Sequence, residues 1–141
     1  MFFNETPTAT EAGNKRKAEL SVEDKVQVHN NEFGSYFVQI TAINEANIGN
    51  LKVVTAENNS TTICESNDEI WDANNNAWVA VSDIGADGIT AQCWNDSTML
   101  VKAEDYQDTS EQSCYSLTVA DDEIGGKGTG IYFDTILFKI K

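Results

Sequence analysis

The chain has 141 residues, a length that fits one domain and allows a hydrophobic core to form without a metal or a disulfide. It carries 23 Asp and Glu against nine Lys and Arg, which gives a formal net charge of −14. Because phosphate binding depends on clustered cations, this balance excludes nucleic acid as a partner. No apolar run approaches the roughly 18 residues of a membrane span, and the opening Met-Phe-Phe is too short for a signal-peptide core.

Residues 1–20 differ in character from the remainder of the chain. Turn-forming residues fill most of this segment, and a basic triplet of Lys15, Arg16 and Lys17 follows them. Phe2 and Phe3 add an apolar tip. We therefore predict an extended N-terminal arm over 1–20 that a partner orders, with these five side chains as its partner-binding residues.

Residues 21–141 are predicted to form a single β-rich domain. Short apolar stretches, rich in β-branched and aromatic residues, alternate with clusters of Asn, Asp, Gly and Ser. Strands are predicted at 22–29, 35–43, 50–55, 60–64, 77–82, 88–94, 98–103, 113–120 and 130–140. This pattern is typical of an all-β fold, an antiparallel sandwich or barrel of about 8–9 strands.

The hydrophobic period supports strands and argues against helices. Val38 and Ile40 fall on one face of the second predicted strand, while Gln39 and Thr41 fall on the other. The last stretch, 130–140, is apolar on both faces and is predicted to be a central strand. No window sustains the spacing of an amphipathic helix over three turns.

Several features that resemble catalytic motifs are better explained by turns. The segment 125–130 reads GGKGTG, but it lacks the spacing of a phosphate-binding loop and leads into a strand, so it is interpreted as a hairpin loop. Paired acids such as Asp68 and Glu69 arise by chance in so acidic a chain and are interpreted as a solvated turn. His29, the single histidine, is expected at the surface or in a turn.

One pattern of oxygen-bearing side chains resembles a calcium loop. Asp72, Asn74 and Asn76 occupy positions 1, 3 and 5, the carbonyl of Trp78 would be position 7, and Asp83 falls at position 12. Position 6 is not glycine, position 12 is not Glu, and no helices flank the segment, which excludes an EF-hand. A hairpin turn that holds calcium weakly and an Asn-rich turn without metal remain as alternatives, and no cofactor is required.

The cysteines and tryptophans suggest further roles without deciding them. Cys64, Cys93 and Cys114 allow one internal disulfide at most and lack the paired spacing of zinc sites, so they are interpreted as buried apolar residues in strands. Trp71 and Trp78 lie near loop and strand boundaries. There they would serve as ligand-binding indoles or as core residues.

These observations predict a non-enzymatic protein. The first hypothesis is a structural or assembly subunit on the surface of a virus particle or an extracellular filament, with other protein subunits as partners in a homo- or hetero-oligomer. The alternative is a secreted carbohydrate-binding or adhesive module. Both hypotheses imply an extracellular or virion-surface location. A hydrolase that uses paired acids is the least favoured class.

Overall fold

The computed structural model describes residues 1–30, 34–120 and 130–140 and shows an all-β protein. The strands in chain order are β1 (Phe2–Phe3), β2 (Thr8–Thr10), β3 (Gly13–Lys15), β4 (Lys25–Asn30), β5 (Gly34–Ile48), β6 (Lys52–Ala56), β7 (Thr61–Cys64), β8 (Glu69–Asp72), β9 (Ala77–Ala80), β10 (Ile89–Gln92), β11 (Thr98–Asp105), β12 (Gln112–Val119), β13 (Gly130–Phe133) and β14 (Ile136–Lys139). Single turns of 3-10 helix occur at Lys17–Glu19, Val81–Asp83 and Trp94–Asp96. None of the helices in the described part of the chain is long and apolar enough to cross a membrane.

The fourteen strands share one hydrogen-bonded sheet in which all described pairings are antiparallel. The path runs β10-β11-β6-β7-β1-β12-β5-β4-β2-β13-β14-β8-β9, with β3 added on β2. A further pairing joins β10 to β8 through Ala91 and Asp72, so the path returns to its own beginning. The prediction of an all-β antiparallel fold is confirmed, whereas an architecture of about 8–9 strands in a sandwich or barrel is not confirmed.

Alternation along β5 follows the sequence pattern. Val38 and Ile40 are buried in the core, while Gln39 and Thr41 face solvent. The first half of β5 pairs with β4, and the second half pairs with β12 from Ile48 back to Ile40. This long strand therefore carries β4 on one side and β12 on the other, and β12 in turn carries β1.

The predicted N-terminal arm is not confirmed, because residues 2–15 supply three strands. Phe2 retains 5% of its surface and Thr8 none, so both belong to the interior. The Tyr115 hydroxyl donates a 2.6 Å hydrogen bond to the carbonyl of Thr6, and the Thr8 hydroxyl donates one of 2.9 Å to the carbonyl of Tyr132. Strands of two or three residues are too short to show alternation, which explains why the sequence pattern did not reveal them.

The last predicted strand is two strands in the structure. A turn at Asp134 and Thr135 separates β13 from β14, and Asp134 has a φ of 56°, a conformation that Asp tolerates better than most residues. The apolar residues of both strands are buried, as expected for a stretch that is apolar on both faces. Most of the predicted glycine-rich loop lies outside the described residues, and its last residue, Gly130, begins β13.

Candidate functional site

Both ends of the described chain border a single cleft with a volume of about 240 Å³. Met1 and Phe2 lie at one side of it, and Lys139 and Ile140 lie at another. The remaining lining residues come from β5, β12, β13 and the segment between β7 and β8: Asn44, Glu65, Asp68, Ser116, Leu117, Thr118, Ile131 and Phe133. Residues 1–2 and 139–140 thus meet beside acidic and hydroxyl side chains.

Two carboxylates hold the α-ammonium group of Met1. Its nitrogen lies 2.7 Å from Oε1 of Glu65 and 3.1 Å from Oδ2 of Asp68, with Oδ1 of Asp68 at 3.3 Å. The side chain of Asp68 is 4% exposed, whereas that of Glu65 is 24% exposed. Charge-assisted hydrogen bonds of this kind are stronger than neutral ones, and burial of one partner reduces their screening by solvent.

A tight turn between β7 and β8 presents both acids. The amide of Asp68 donates to the carbonyl of Glu65 at 3.2 Å, and the amide of Glu65 donates to Oδ2 of Asp68 at 3.0 Å. The following 3-10 turn fastens this segment, since the amide of Val81 donates to the carbonyl of Asp68 at 2.8 Å and that of Ser82 to the carbonyl of Ser66 at 2.9 Å. The acids are therefore positioned by backbone hydrogen bonds within their own turn and from the 3-10 turn that follows β9.

Strand β1 brings residue 1 to these acids. It lies between β7 and β12, with Phe2 opposite Cys64 on one side and Tyr115 on the other. The ring of Phe2 stacks on Phe133, with 3.7 Å between centroids and 10° between planes. The amide of Glu65 also donates to the carbonyl of Met1 at 3.0 Å. Apolar packing and backbone hydrogen bonds together fix the position of the chain's first nitrogen.

The register of β12 places a serine opposite residue 1. Phe2 pairs with Tyr115 and Phe3 with Cys114, so the antiparallel register continues to Met1 opposite Ser116. On the far side of β12, Ser116 pairs with Asn44 of β5. Directly opposed residues in an antiparallel pair have Cα atoms about 4.5–5.5 Å apart, which brings a hydroxyl-bearing residue close to the start of the chain.

An asparagine contacts the hydroxyl groups on β12. Nδ2 of Asn44 donates to Oγ of Ser116 at 3.4 Å and to Oγ1 of Thr118 at 3.1 Å. Neither hydroxyl is deeply buried, since Ser116 is half-buried and Thr118 is exposed. The cleft therefore contains an amide donor, two hydroxyl groups and two carboxylates, which is a set suited to acyl transfer.

Neutral groups flank the cleft on the core side. Burial raises the pKa of the Cys114 thiol, although the nearby ammonium group of Met1 acts in the opposite direction. Burial also raises the pKa of the Tyr115 hydroxyl. Burial raises the pKa of Cys93, away from the cleft, to about 11. All three cysteines are buried and none forms a disulfide within the described residues, which agrees with their interpretation as buried apolar residues.

The predicted calcium ligands lie in and after the β8–β9 turn. Oδ1 of Asp72 accepts hydrogen bonds from the amides of Asn74 at 3.0 Å and Asn75 at 3.2 Å, and Oδ2 accepts one from the Asn75 side chain at 2.8 Å. Asn76 has a φ of 50°, and Asp83 is exposed beyond β9. No group of three or more His, Cys, Asp or Glu suited to a metal occurs within 1–30, 34–120 and 130–140. A calcium site at this turn stays a prediction.

The two tryptophans proposed as ligand-binding residues form a cross-strand pair. Trp71 and Trp78 are directly opposed on β8 and β9, with ring centroids 5.1 Å apart and planes at 69°. Both are partly buried against a small cluster of Ala9, Tyr132 and Leu137. Their observed role is packing, and a ligand-binding role stays a prediction.

The proposed partner-binding residues make contacts within the chain. Phe2 is buried in the core, and Phe3 lies 6.5 Å from the ring of Tyr106. The basic triplet pairs with acids, Lys15 with Asp24, Arg16 with Glu5 and Glu19, and Lys17 with Glu45. Binding of another protein by these side chains stays a prediction.

Three other residues named from the sequence can be placed. His29 lies near the end of β4, half-buried, with Nδ1 3.3 Å from the hydroxyl oxygen of Ser35. Asp68 and Glu69, interpreted as a solvated turn, have different surroundings in the structure. Asp68 is buried against the ammonium group of Met1, while Glu69 lies 3.6 Å from Nζ of Lys139.

Sequence reasoning missed the cleft residues Met1, Glu65 and Ser116. Nothing in their neighbourhood along the chain distinguishes them, because Met1 and Glu65 are 64 positions apart and meet only through strand pairing. The one available signal was the apolar start of the chain. It was interpreted as a tip for a partner when it is a buried strand.

Solved structures with the same fold are inteins and an intein-like domain. The gp41-1 intein has a TM-score of 0.73 and 16% identity, with 99% of this chain and 97% of that chain covered. The intein-like domain of Clostridium thermocellum has a TM-score of 0.82 at 13% identity, with the same coverage of 99% and 97%. A DnaB intein from Synechocystis has a TM-score of 0.77 at 11% identity, again covering 99% and 97%. No protein-family model matches the sequence, and comparison with curated proteins gives no match.

These likenesses correct four expectations. The prediction of a virion or filament subunit, with carbohydrate binding or adhesion as its alternative, is wrong, because the fold is that of protein-splicing domains. The expectation of a non-enzymatic protein is overturned as well, because the solved structures that share this fold are inteins. The same likenesses overturn the predicted roles in assembly and adhesion. The extracellular or virion-surface location is overturned too, because the structures with this fold are inteins and none is a virion or filament subunit among those compared.

Proposed function

We propose that this chain is a self-processing domain of the intein type, which makes and breaks peptide bonds in the cleft between its two ends. The observation that carries the proposal is the meeting of Met1 with Lys139 and Ile140 around Glu65 and Asp68. Protein splicing removes a domain from a longer chain and joins the flanking segments. Both junctions of such a domain must therefore reach one reaction site, and a cleft bordered by Met1 and Ile140 supports the proposal.

The side chain of residue 1 does not provide the acyl acceptor in this proposal. The thioether of Met1 has no proton to lose and forms no stable acyl product, in contrast to a hydroxyl or thiol group. Ser116 is the hydroxyl-bearing residue opposite Met1 in the register of β12, and it borders the same cleft. We assign Ser116 as the acceptor of the acyl group that precedes Met1 when a segment is attached there.

The acids complete the proton transfers of this step. Oγ of Ser116 attacks the carbonyl carbon that precedes Met1, and its proton passes through a carboxylate of Glu65 or Asp68 to the departing nitrogen. The carbon–nitrogen bond breaks, an ester forms on Ser116, and the released amine takes a second proton from solvent. The ammonium ion then lies against Glu65 and Asp68, the contacts described for Met1. Water, or a nucleophile in the segment that follows the domain, resolves the ester.

The test joins a reporter protein to each end of the chain and follows the products by intact-mass spectrometry. We expect cleavage before Met1, and added hydroxylamine is expected to cleave the ester on Ser116 and to release the preceding segment as its C-terminal hydroxamate. Ser116→Ala is expected to lower the cleavage rate at least ~100-fold, since it removes the acceptor itself. Ser113→Ala is the matched control, because Ser113 lies on the same strand and contacts Asn47 away from the cleft. An intact fusion protein, or equal rates in Ser116→Ala and the parent, would contradict the proposal.

A second substitution tests the geometry independently of Ser116. Met1→Cys places a thiol on the residue whose nitrogen the acids hold, so a thioester can form there even in the Ser116→Ala background. We expect this double variant to regain cleavage, now accelerated by added dithiothreitol. If the double variant unfolds at the parent's temperature yet shows no thiol-dependent cleavage, the cleft does not orient the bond before residue 1.

A further inference from the structure

Two strands of the sheet, β3 and β9, have a neighbour on one side only within the described residues. Such an edge presents backbone groups that pair with a strand of another chain unless charge, proline or a bulge obstructs it. Strand β3 is guarded, because it contains Lys15 and is followed by Arg16. Strand β9 reads Ala-Trp-Val-Ala, with no charge and no proline, and its pairing with β8 has no bulge.

The hydrogen bonds of the β8–β9 hairpin determine which groups of β9 face outward. The amide of Val81 donates to the carbonyl of Asp68 at 2.8 Å, so these two residues form a hydrogen-bonded pair. Hydrogen-bonded and non-hydrogen-bonded pairs alternate along an antiparallel ladder, which puts Trp78 and Ala80 in non-hydrogen-bonded pairs. The closeness of the Trp71 and Trp78 rings, 5.1 Å between centroids, agrees with this assignment. The backbone groups of Trp78 and Ala80 therefore point away from β8.

Strand β9 is complementary to itself about a two-fold axis. If Val79 of one copy lies opposite Val79 of a second copy, Trp78 of each copy faces Ala80 of the other. Both of these pairs are hydrogen-bonded, so each exchanges two hydrogen bonds and the outward-facing groups of β9 are all used. A large indole then faces a methyl group, and the indoles of the two copies lie diagonally across the axis, within reach of each other.

Charge favours a second copy as the occupant of this edge. The chain has a net charge of −14, so two copies repel each other except where they meet through neutral surface. Strand β9 is neutral, and Asp83 beyond it would lie opposite Asn75 of the second copy, an amide instead of another acid. A basic segment, which so acidic a chain would otherwise attract, finds no acidic side chain in β9 to pair with.

We propose that the domain forms a two-fold dimer in which the β9 strands of two copies pair in antiparallel fashion, with Val79 on the axis. This pairing joins the two sheets and places the tryptophan pairs of both copies side by side on one face. A four-residue edge buries little area, so the dimer is a weak one. Because no residue of β9 borders the cleft, the dimer holds or fails independently of acyl transfer to Ser116.

Sedimentation of the chain between about 10 and 500 μM measures the association. We expect a monomer–dimer equilibrium with a Kd on the order of 100 μM in about 0.5 M salt. In about 0.05 M salt the association is expected to be at least ~3-fold weaker, since less of the repulsion between copies is screened. At the upper concentration the amides of Trp78 and Ala80 are expected to exchange with deuterium at least ~5-fold more slowly, whereas the Val79 amide, which already bonds to β8, is unchanged.

Ala80→Pro removes an outward-facing donor at little cost to the fold. Ala80 has a φ of −62°, the value that proline imposes, and its N–H does not point toward β8. We expect association to weaken at least ~10-fold, while the unfolding temperature in dilute solution stays within about 2 °C of the parent. Phe37→Ser is the control, because it removes an exposed aromatic side chain from β5, a strand paired on both sides, and should leave association unchanged.

Cross-linking tests the register. Val79→Cys places two thiols opposite each other on the axis, within disulfide distance, so oxidised glutathione is expected to link the copies. Ala77→Cys is the matched control, because Ala77 lies on the same face of β9 but its counterpart in the second copy is offset by about 13 Å along the strand. We expect at least ~10-fold more linked dimer from Val79→Cys, against a low background, since the native cysteines are buried.

Three results would each overturn the proposal: a monomer up to about 500 μM at both salt concentrations, association that persists in Ala80→Pro, or equal cross-linking of the two cysteine variants. A peptide of alternating Thr and Val residues tests for a different occupant. If this peptide protects the amides of Trp78 and Ala80 in a chain that stays monomeric, the edge binds a strand of another protein and not a second copy.

Discussion

Two acidic turns flank β8, and they use their buried carboxylates in opposite ways. In the turn before the strand, Asp68 faces the ammonium group of Met1, which lies 67 positions away along the chain. In the turn after it, Asp72 is also buried, at 4% exposure, but its oxygens accept hydrogen bonds from Asn74 and Asn75 in the same turn. The two acids are only four positions apart in the sequence.

The comparison shows why a local pattern pointed to the wrong turn. Asp72 and its asparagines form an evident group in sequence, because a side chain that caps its own turn must have its partners nearby. Asp68 has an unremarkable neighbourhood, since its cationic partner arrives through strand pairing. Local regularity in this chain indicates a structural turn, whereas the candidate reaction site depends on long-range contacts.

The largest expected effect is at Asp68. Asp68→Asn removes the buried negative charge opposite Met1, and we expect it to lower the free energy of unfolding by about 3 kcal/mol. Chemical denaturation at neutral pH measures the loss. Asp83→Asn is the control, because Asp83 is an exposed acid in the neighbouring 3-10 turn. If Asp68→Asn lowers the free energy of unfolding no more than Asp83→Asn does, the charge of Asp68 does not contribute to stability in the way argued here.

A smaller loss is expected at Asp72. Asp72→Ala leaves two backbone amides and the Asn75 side chain without their acceptor, which we expect to cost about 2 kcal/mol. Asp72→Asn keeps one acceptor oxygen and should recover part of that loss. Chemical denaturation of the parent and of both variants at neutral pH measures these losses. The predicted calcium site is tested by titrating calcium into the parent and into Asp72→Ala and measuring the heat of binding by calorimetry. If both proteins release the same heat, calcium binds somewhere other than Asp72.

How far the sequence predicts this fold depends on the length of each element. The alternation of Val38 and Ile40 with polar neighbours identified β5, and similar patterns located β6, β7, β11 and β12 within a few residues. Strand β8, Glu69–Asp72, was missed because an acid lies at each end of it, which gives this short segment the composition of the turns around it. The single strand predicted over 130–140 failed because Asp134 turns the chain within an apolar run.

The candidate site was less predictable than the fold for a physical reason. Its members lie at residues 1, 65, 68 and 116, and their proximity results from the order β7-β1-β12 in the sheet. That order depends on the seating of Phe2 in the core. A two-residue strand at the start of the chain carries no periodic signal, so neither the order nor the cleft could be derived from spacing.

Asp134 is a third acid that is removed from solvent, and here we expect that removing the charge stabilises the protein slightly, whereas it destabilises the protein at Asp68 and Asp72. Asp134 receives one hydrogen bond, from Oγ1 of Thr62 at 3.4 Å, and burial raises its pKa. A carboxyl group whose pKa is raised in the folded state stabilises the fold below its unfolded pKa, and this contribution is lost as the pH rises through the folded value. Asp134→Asn, which tolerates the positive φ, is therefore expected to raise the unfolding temperature by about 2 °C at pH 7 and to have little effect near pH 3. Thermal scans across this range measure the trend, and a variant that is less stable than the parent at pH 7 would show that the charge has a partner.

The smallest effect is expected where an acid pairs with a cation in full contact with solvent. Arg16 lies 3.0 Å from Oε2 of Glu5, and the two side chains are 58% and 63% exposed. Solvent and salt screen such a pair, and the cost of ordering two long side chains offsets most of its attraction. Arg16→Gln is expected to move the unfolding temperature by no more than about 1 °C, both in dilute buffer and in about 0.5 M salt. A shift as large as that of Asp68→Asn would show that Arg16 contributes through something other than this ion pair, and would return the basic triplet to consideration as a binding surface.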